Sequence, residues 1–396
     1  MAGRFLLVYL ALFVPFAIVT PYLQKLLFLR GFHEDQIGLI QGCLEAMAVL
    51  APPLWGYLSD YSGRPRLVLA LCMCGAIPAF QLFGLVHGLT AALGTAALFG
   101  LFYRPLVPLT DGITFRYLST HGGDYGKIRV GGSLAFVGCL LLLEPLGIGS
   151  SRDGRMILVA VAVAGLFHLA SLALIPAAVN AAPSSLPHGK APPHQSTLAA
   201  CRELCRPQFL CFTLCAFLGR FALMSYYGFF TLYLAKEHGI EKAGLIWLLG
   251  PLSEIPVIYY SRRIMDHIGV RNLFALGLLG ITVRLASFCL APSLWVVVPL
   301  QLLHSLTFGA YHCSSVTYVS RIVPVRLLST AQTLFSAVTI GLGSMIGGAV
   351  GGMVARHFGF RALYGSFGVV AAVAFVLLLL TVPASDQGRA AAPTPT

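Results

Sequence analysis

Gly56-Tyr-Leu-Ser-Asp60-Tyr-Ser-Gly63-Arg64-Pro-Arg66 is the stretch that decides how this chain is read. It is short, charged and broken by glycine, and it lies between two long apolar runs. It therefore reads as a surface turn between two buried elements. A degenerate copy, Arg262-Arg-Ile-Met-Asp266-His-Ile-Gly269-Val-Arg271, stands half a chain later and keeps the Asp-x2-Gly spacing followed by arginine. Two copies at that offset, each between apolar spans, mark a chain built from two related helical halves.

Composition says where those halves live. Apolar residues make up 57% of the 396 residues and charged residues 10%, whereas a soluble domain carries about a quarter charged. No soluble core could bury that much apolar side chain. Stretches near the roughly 20 residues needed to cross a bilayer recur at 5–28, 36–58, 67–87, 91–111, 129–148, 156–177, 208–234, 243–262, 271–290, 293–318, 329–354 and 361–383. The expected fold is an all-α polytopic membrane protein with twelve transmembrane helices in two six-helix bundles, residues 1–178 and 207–384. A polar segment, 179–206, links the bundles in the cytoplasm, and a disordered tail, 385–396, follows.

The formal charge of +12 invites a nucleic-acid reading, but its placement orients helices instead. With both termini cytoplasmic, fourteen Lys and Arg fall on the inner side and eight on the outer, the positive-inside bias. No nucleic-acid partner is expected. The first run reads as an uncleaved helix, because it is too long for a signal peptide, holds Pro15 and Pro21, and leads into another span. Most of the ten cysteines sit singly in apolar spans, as small hydrophobes. Cys201, Cys205 and His194 lack a second ligand pair, so no metal site is expected.

Ionisable groups inside a bilayer cost about 2.5–3.5 kcal/mol each on insertion scales, so they need partners or a function. The chain holds Glu45 in the second span, Asp111 at the end of the fourth, Arg129 at the start of the fifth, and Glu144 at the outer end of the fifth. The second half adds Arg220, Glu254, Arg284, His304 and His312. Glu254, Arg284 and His304 occupy three successive spans, where a carboxylate, a guanidinium and an imidazole can satisfy one another. Either they form a structural ion cluster or they form a protonatable site in a water-filled cavity. Tyr226 and Tyr227, on the seventh span, are candidate stacking partners for a ring or are packing residues. Gly343, Gly347 and Gly351, four apart, allow another helix close. Ser329 and Gln332 have capping-box spacing at the start of the eleventh span.

The loop pattern resembles the turn between helices 2 and 3 of the major facilitator superfamily. Pro105-Leu-Val-Pro-Leu-Thr-Asp111, Asp124-Tyr-Gly-Lys-Ile-Arg129, Gly132-Ser-Leu-Ala-Phe136, Tyr226-Tyr-Gly-Phe229 and Gln301-Leu-Leu-His304 resemble bacterial 3-phenylpropionate transporters. More distantly the layout is similar to lactose permease and other oligosaccharide:proton symporters. That likeness implies that Asp111 and Arg129 hold substrate as a pair, and that Glu254, Arg284 and His304, with His312 near, handle the coupled proton. Thr307 stands where those symporters carry a further glutamate, and Val130 where the phenylpropionate pattern favours tryptophan. Glu45 matches neither pattern and is either a specificity difference or a packing partner. The likeness also assigns Gly56, Asp60, Gly63, Arg64 and Asp266 to a gating loop, with Asp60 near the N-terminus of the eleventh helix. There a carboxylate would meet the positive end of the helix dipole.

The expected activity is secondary transport, with import of a small organic solute such as an aromatic acid coupled to protons. A sugar or nucleoside symporter and a drug efflux antiporter are the alternatives. No glycine-rich phosphate loop is present, so the proton gradient replaces ATP and no cofactor is needed. With no H-E-x-x-H and no nucleophile–base pairing, an enzyme is not expected. The expected setting is a bacterial inner membrane, as a monomer.

Overall fold

The computed structural model describes residues 2–121, 125–176, 206–291, 293–323 and 327–383. The expected linker (apart from Arg206), the tail, Asp124, and the trio His194, Cys201 and Cys205 lie outside the described residues.

Apolar runs become helices because hydrocarbon offers the backbone no other hydrogen-bond partner. The first bundle comprises α1 (Ala2–Leu29), α2 (Glu34–Ser62), α3 (Pro65–Leu82), α4 (Leu89–Tyr103, resuming as Leu106–His121), α5 (Tyr125–Leu143) and α6 (Arg155–Ser171). The second comprises α7 (Pro207–His238), α8 (Leu249–Ile268, after a single turn Gly244–Trp247), α9 (Val270–Leu290) and α10 (Leu294–Ile322). It closes with α11 (328–358) and α12 (360–381), which run on from Ser344 to Thr381 and break at Gly359, where φ is 81° and ψ 174°. Among the described residues these twelve helices match the expected crossings in number and order, and nine stretches, one of them running through both α11 and α12, are long and apolar enough to cross a membrane.

Local chemistry sets the boundaries. Pro65 and Pro207 open α3 and α7 at the first turn, where a missing N–H costs nothing. Gly63, at φ 61°, closes α2 in the left-handed conformation, so the Gly63-Arg64 pair is a helix stop followed by a helix start. Ser329 is not the cap of α11. Leu327 occupies the cap position without a side-chain bond, and Gln332 donates to the Val316 carbonyl at 2.8 Å. The side chain of Ser329 lies outside the described residues. Helix α4 also outlasts its expected end at Asp111 and reaches His121, so Asp111 sits mid-helix.

The bundles meet tightly on one side, called here the distal side, away from the chain ends. Gly38 of α2 faces α11 so closely that an added Cβ would lie 2.2 Å from the Gly348 carbonyl oxygen. A Cβ on Gly352 would lie 2.4 Å from the Glu34 carbonyl oxygen. Small residues let two backbones touch, and here they do so across the bundle boundary. The Gly343, Gly347 and Gly351 row faces α7, with Gly347 nearest the Phe221 carbonyl. On the same side Lys236 pairs with Glu34, and the Thr231 hydroxyl donates to the Pro21 carbonyl at 2.7 Å.

Glu144 belongs to this seal. Glu144 stands just past the distal end of α5, and it is 0% exposed because it is enclosed between the bundles. Its Oε1 accepts from the Tyr22 hydroxyl and from the backbone N–H of Gly244, in the other bundle, at 2.6 Å. A carboxylate can be buried when donors of this kind replace its water.

The loop side differs. Asp60 is 73% exposed, and it pairs with Arg116 of its own bundle at 3.1 Å; among the described residues it makes no contact with the start of α11. Tyr57 and Tyr61 are likewise exposed. The bundles are clamped distally, and the space between them faces the side of the termini.

Candidate functional site

Between the bundles lies a cavity of about 500 Å³, which continues into a chamber of about 190 Å³. Helices α1, α4 and α5 supply one wall, and α7, α8 and α10 the other. Asp111, Arg129, Glu254, His304, His312 and Tyr227 all line the main cavity, and Glu45 lines the chamber. The structure thus brings seven of the nine sequence-predicted substrate and proton residues to one connected space.

The internal pairing differs from expectation. Asp111 and Arg129 do not form an ion pair. Asp111 Oδ1 instead accepts from the Tyr9 hydroxyl and from the Tyr125 hydroxyl at 2.8 Å, so two phenols hold its carboxyl group. The Arg129 guanidinium stacks on Phe13, 4.2 Å from the ring centroid. Gly132 makes room for it, since a Cβ there would sit 2.6 Å from an Arg129 Nη. A cation on a ring face keeps its N–H edge free for a ligand.

Across the cavity, Arg220 donates from Nε to Ser344 Oγ at 2.7 Å and lies 5.2 Å from the Tyr227 ring centroid. Among the described residues neither Arg129 nor Arg220 has a carboxylate partner. Arg104 does, because its Nη2 meets Glu45 Oε1 at 2.6 Å.

The expected Glu254–Arg284–His304 triad is also rearranged. Glu254 Oε2 lies 3.5 Å from His304 Nε2, and Oε1 accepts from Ser133 of α5 at 3.0 Å. This carboxylate therefore bridges the two bundles at mid-depth. Arg284 does not reach it. At 1% exposure Arg284 is sealed behind Tyr226, with its guanidinium 3.7 Å from that ring centroid, and it donates to Gln301 Oε1. Tyr226 also donates to Gln301 Oε1, at 3.0 Å. Gln301 took the place the triad assigned to Glu254, because an amide oxygen three residues before His304 is nearer the guanidinium. Tyr226 consequently packs in the second bundle rather than lining the cavity.

The loop residues stand apart from the cavity. Gly56, Asp60, Gly63 and Arg64 end α2 and open α3, and Asp266 is exposed near the end of α8. Sequence reasoning passed over Tyr9, Tyr125, Ser133 and Gln301. Tyr125, Ser133 and Gln301 lay inside the quoted motifs, but their partners are distant in sequence.

Among the described residues no cluster of His, Cys, Asp or Glu has the makeup of a metal site. Two helical bundles closed against each other on one side, with a polar cavity between them, define a membrane carrier of the major facilitator class.

The comparisons agree. The chain belongs to the MFS_1 like family, whose family model matches residues 4–366. The maltose permease of Geobacillus stearothermophilus is 29% identical, covering 95% of this chain and 92% of that one. A protein of Escherichia coli (strain K12) described as a probable 3-phenylpropionic acid transporter is 27% identical over 94% of this chain and 95% of its own. The crystal structure of the nucleoside transporter NupG superposes with a TM-score of 0.80 at 18% identity, covering 96% of this chain and 98% of that one. This is a multi-pass membrane transporter and not an enzyme.

Proposed function

We propose that this carrier is a proton-coupled symporter that imports a small organic anion, an aromatic carboxylate of the phenylpropionate kind, across a bacterial inner membrane. One observation carries the reading. Arg129 and Arg220 face one cavity from opposite bundles, each against an aromatic ring and neither with a carboxylate partner among the described residues. A substrate carboxylate fits between them through charge-assisted, bidentate hydrogen bonds, and Phe13, Phe16 and Tyr227 accommodate its ring. The 27% identical relative with a phenylpropionic acid in its name supports the same class.

Glu254 is the proton carrier in this reading. Its two partners sit on different bundles, Ser133 on α5 and His304 on α10. Rocking the bundles apart must therefore strip one partner and change how the carboxylate is satisfied. That links protonation to which side is open. Arg284 and His304 set the surrounding charge, and His312 shares the cavity. Both termini are cytoplasmic, so the conformation described above opens inward. No cofactor takes part, since one charge crossing 100 mV supplies about 2.3 kcal/mol. The working unit is a monomer.

A second reading, a proton-coupled saccharide or nucleoside carrier, is supported by the maltose permease likeness. Asp111, already accepting from two hydroxyls, is chemically suited to a third. Binding by the purified protein, measured with 3-phenylpropionate, maltose and uridine, separates the two. The acid should bind, and Arg129→Lys should weaken it because lysine lacks the planar fork. Binding of maltose or uridine with no binding of the acid would replace the first reading by the second.

A further inference from the structure

The smaller chamber is built unlike a pocket for plain hydrocarbon, and this points to the substrate class. We infer that it is a second subsite, which takes a hydroxyl carried on the substrate ring at the end remote from the carboxylate. The inference rests on the organic-anion reading above, and it narrows the substrate to hydroxylated aromatic acids.

The chamber and the main cavity share Phe16, Thr20, Arg104, Arg220, Tyr227 and Phe308. The join is therefore an aromatic waist, suited to the ring of a ligand whose anion lies between Arg129 and Arg220. Past the waist, among Val19, Leu23, Leu44, Tyr103 and Met224, the chamber adds Gln41 and Glu45 to the Thr20 and Arg104 of the join.

Each of these groups is set by a contact that leaves one function unused. Gln41 donates Nε2 to the Gly228 carbonyl at 3.0 Å, which fixes the amide and leaves Oε1 as an acceptor without a hydrogen bond among the described residues. Arg104 gives Nη2 to Glu45 at 2.6 Å, and its Nη1 has no partner among the described residues. The Thr20 hydroxyl, on both linings, is likewise unengaged there. One acceptor, one cationic donor and one hydroxyl complement a phenolic O–H, which both donates and accepts.

The ion pair argues the same way. Glu45 and Arg104 side chains are only 13% and 20% exposed. Apolar residues of similar volume usually serve as well as a buried pair where packing is the sole task. Here Glu45 orients the guanidinium at the mouth of the chamber, so Glu45 is a positioning residue and Arg104, Gln41 and Thr20 would touch substrate.

The test uses the full-length protein in proteoliposomes, with labelled 3-phenylpropionate displaced by the unlabelled parent acid, its 3-hydroxy and 4-hydroxy ring derivatives, and their methyl ethers. At least one hydroxy acid should bind about five- to tenfold more tightly than the parent, the value of one net hydrogen bond. Its methyl ether should lose that gain. Gln41→Leu and, independently of the Gly228 contact, Thr20→Val should each shrink the preference, read within each variant as the ratio of hydroxy-acid to parent affinity. Arg129→Lys should weaken every acid and keep the preference. If the parent binds but no hydroxyl adds affinity, or if the gain survives in both variants, the subsite is refuted and the organic-anion reading stands. If none of the acids binds, both fall.

Discussion

Gly38→Ala adds one methyl group and should jam the distal seal. The new Cβ would lie 2.2 Å from the Gly348 carbonyl oxygen and 3.0 Å from Gly352 Cα. Ordinary contact begins near 3.4 Å, so α2 and α11 must separate by about an ångström to admit it. Overpacking of this kind costs about 1–3 kcal/mol. The contact joins the bundles only when the distal side is shut, so the penalty falls on that state alone. It should shift the population roughly 5- to 150-fold toward distal opening. Spin labels at His87 and Lys242, exposed on the distal loops of opposite bundles, report this by pulsed electron resonance in a background without native cysteines. The variant should show a longer distance component at the expense of the shorter one, with little change in melting temperature, since neither bundle is disturbed. A folded Gly38→Ala protein whose distances superpose on wild type would refute the account of the seal.

Arg220→Met keeps an unbranched stem and removes the guanidinium, and should weaken 3-phenylpropionate binding about ten- to a hundredfold, as calorimetry would read it; unchanged affinity would remove Arg220 from the site. Glu144→Ala leaves the Gly244 N–H and the Tyr22 hydroxyl without their acceptor, at about 1–3 kcal/mol per buried group. It should lower the melting temperature and lengthen the His87–Lys242 distance. Glu144→Gln retains an acceptor oxygen and should recover most of both, and equal defects in the two variants would contradict the acceptor role.

Much of the fold was legible because bilayer thickness acts on composition directly. Most spans and the stop at Gly63-Arg64 follow from apolar run length and glycine punctuation, whereas Gly56–Ser62, expected in the turn, extends α2 as helix. The residues that gather at the cavity were legible for a related reason, since Glu45, Asp111, Arg129, Glu254 and His304 are conspicuous in an apolar chain. Their pairings were not, because they depend on helix rotation. Whether Asp111 meets Arg129 or two tyrosines turns on facing angles that no spacing reports. Arg284 was assigned to Glu254 on charge, and Gln301, a neutral residue, took it. Glu144 stands at the end of its apolar span, a place that does not announce burial. Its burial depends on the Gly244 turn of the other bundle, which the sequence does not bring near. The glycines of α11 announced one close contact, with α7, yet Gly348 and Gly352 on the adjoining face make another, with α2.

The central claim is that movement of an organic anion is tied to a proton on Glu254. Proteoliposomes holding wild type or Glu254→Gln, given 3-phenylpropionate outside and an inward proton gradient with no membrane voltage, test it in one measurement. Wild type should concentrate the acid and lose accumulation when the gradient is collapsed. Glu254→Gln should bind and exchange the acid yet accumulate none. Accumulation by Glu254→Gln equal to wild type, or accumulation by wild type that ignores the gradient, would contradict the account.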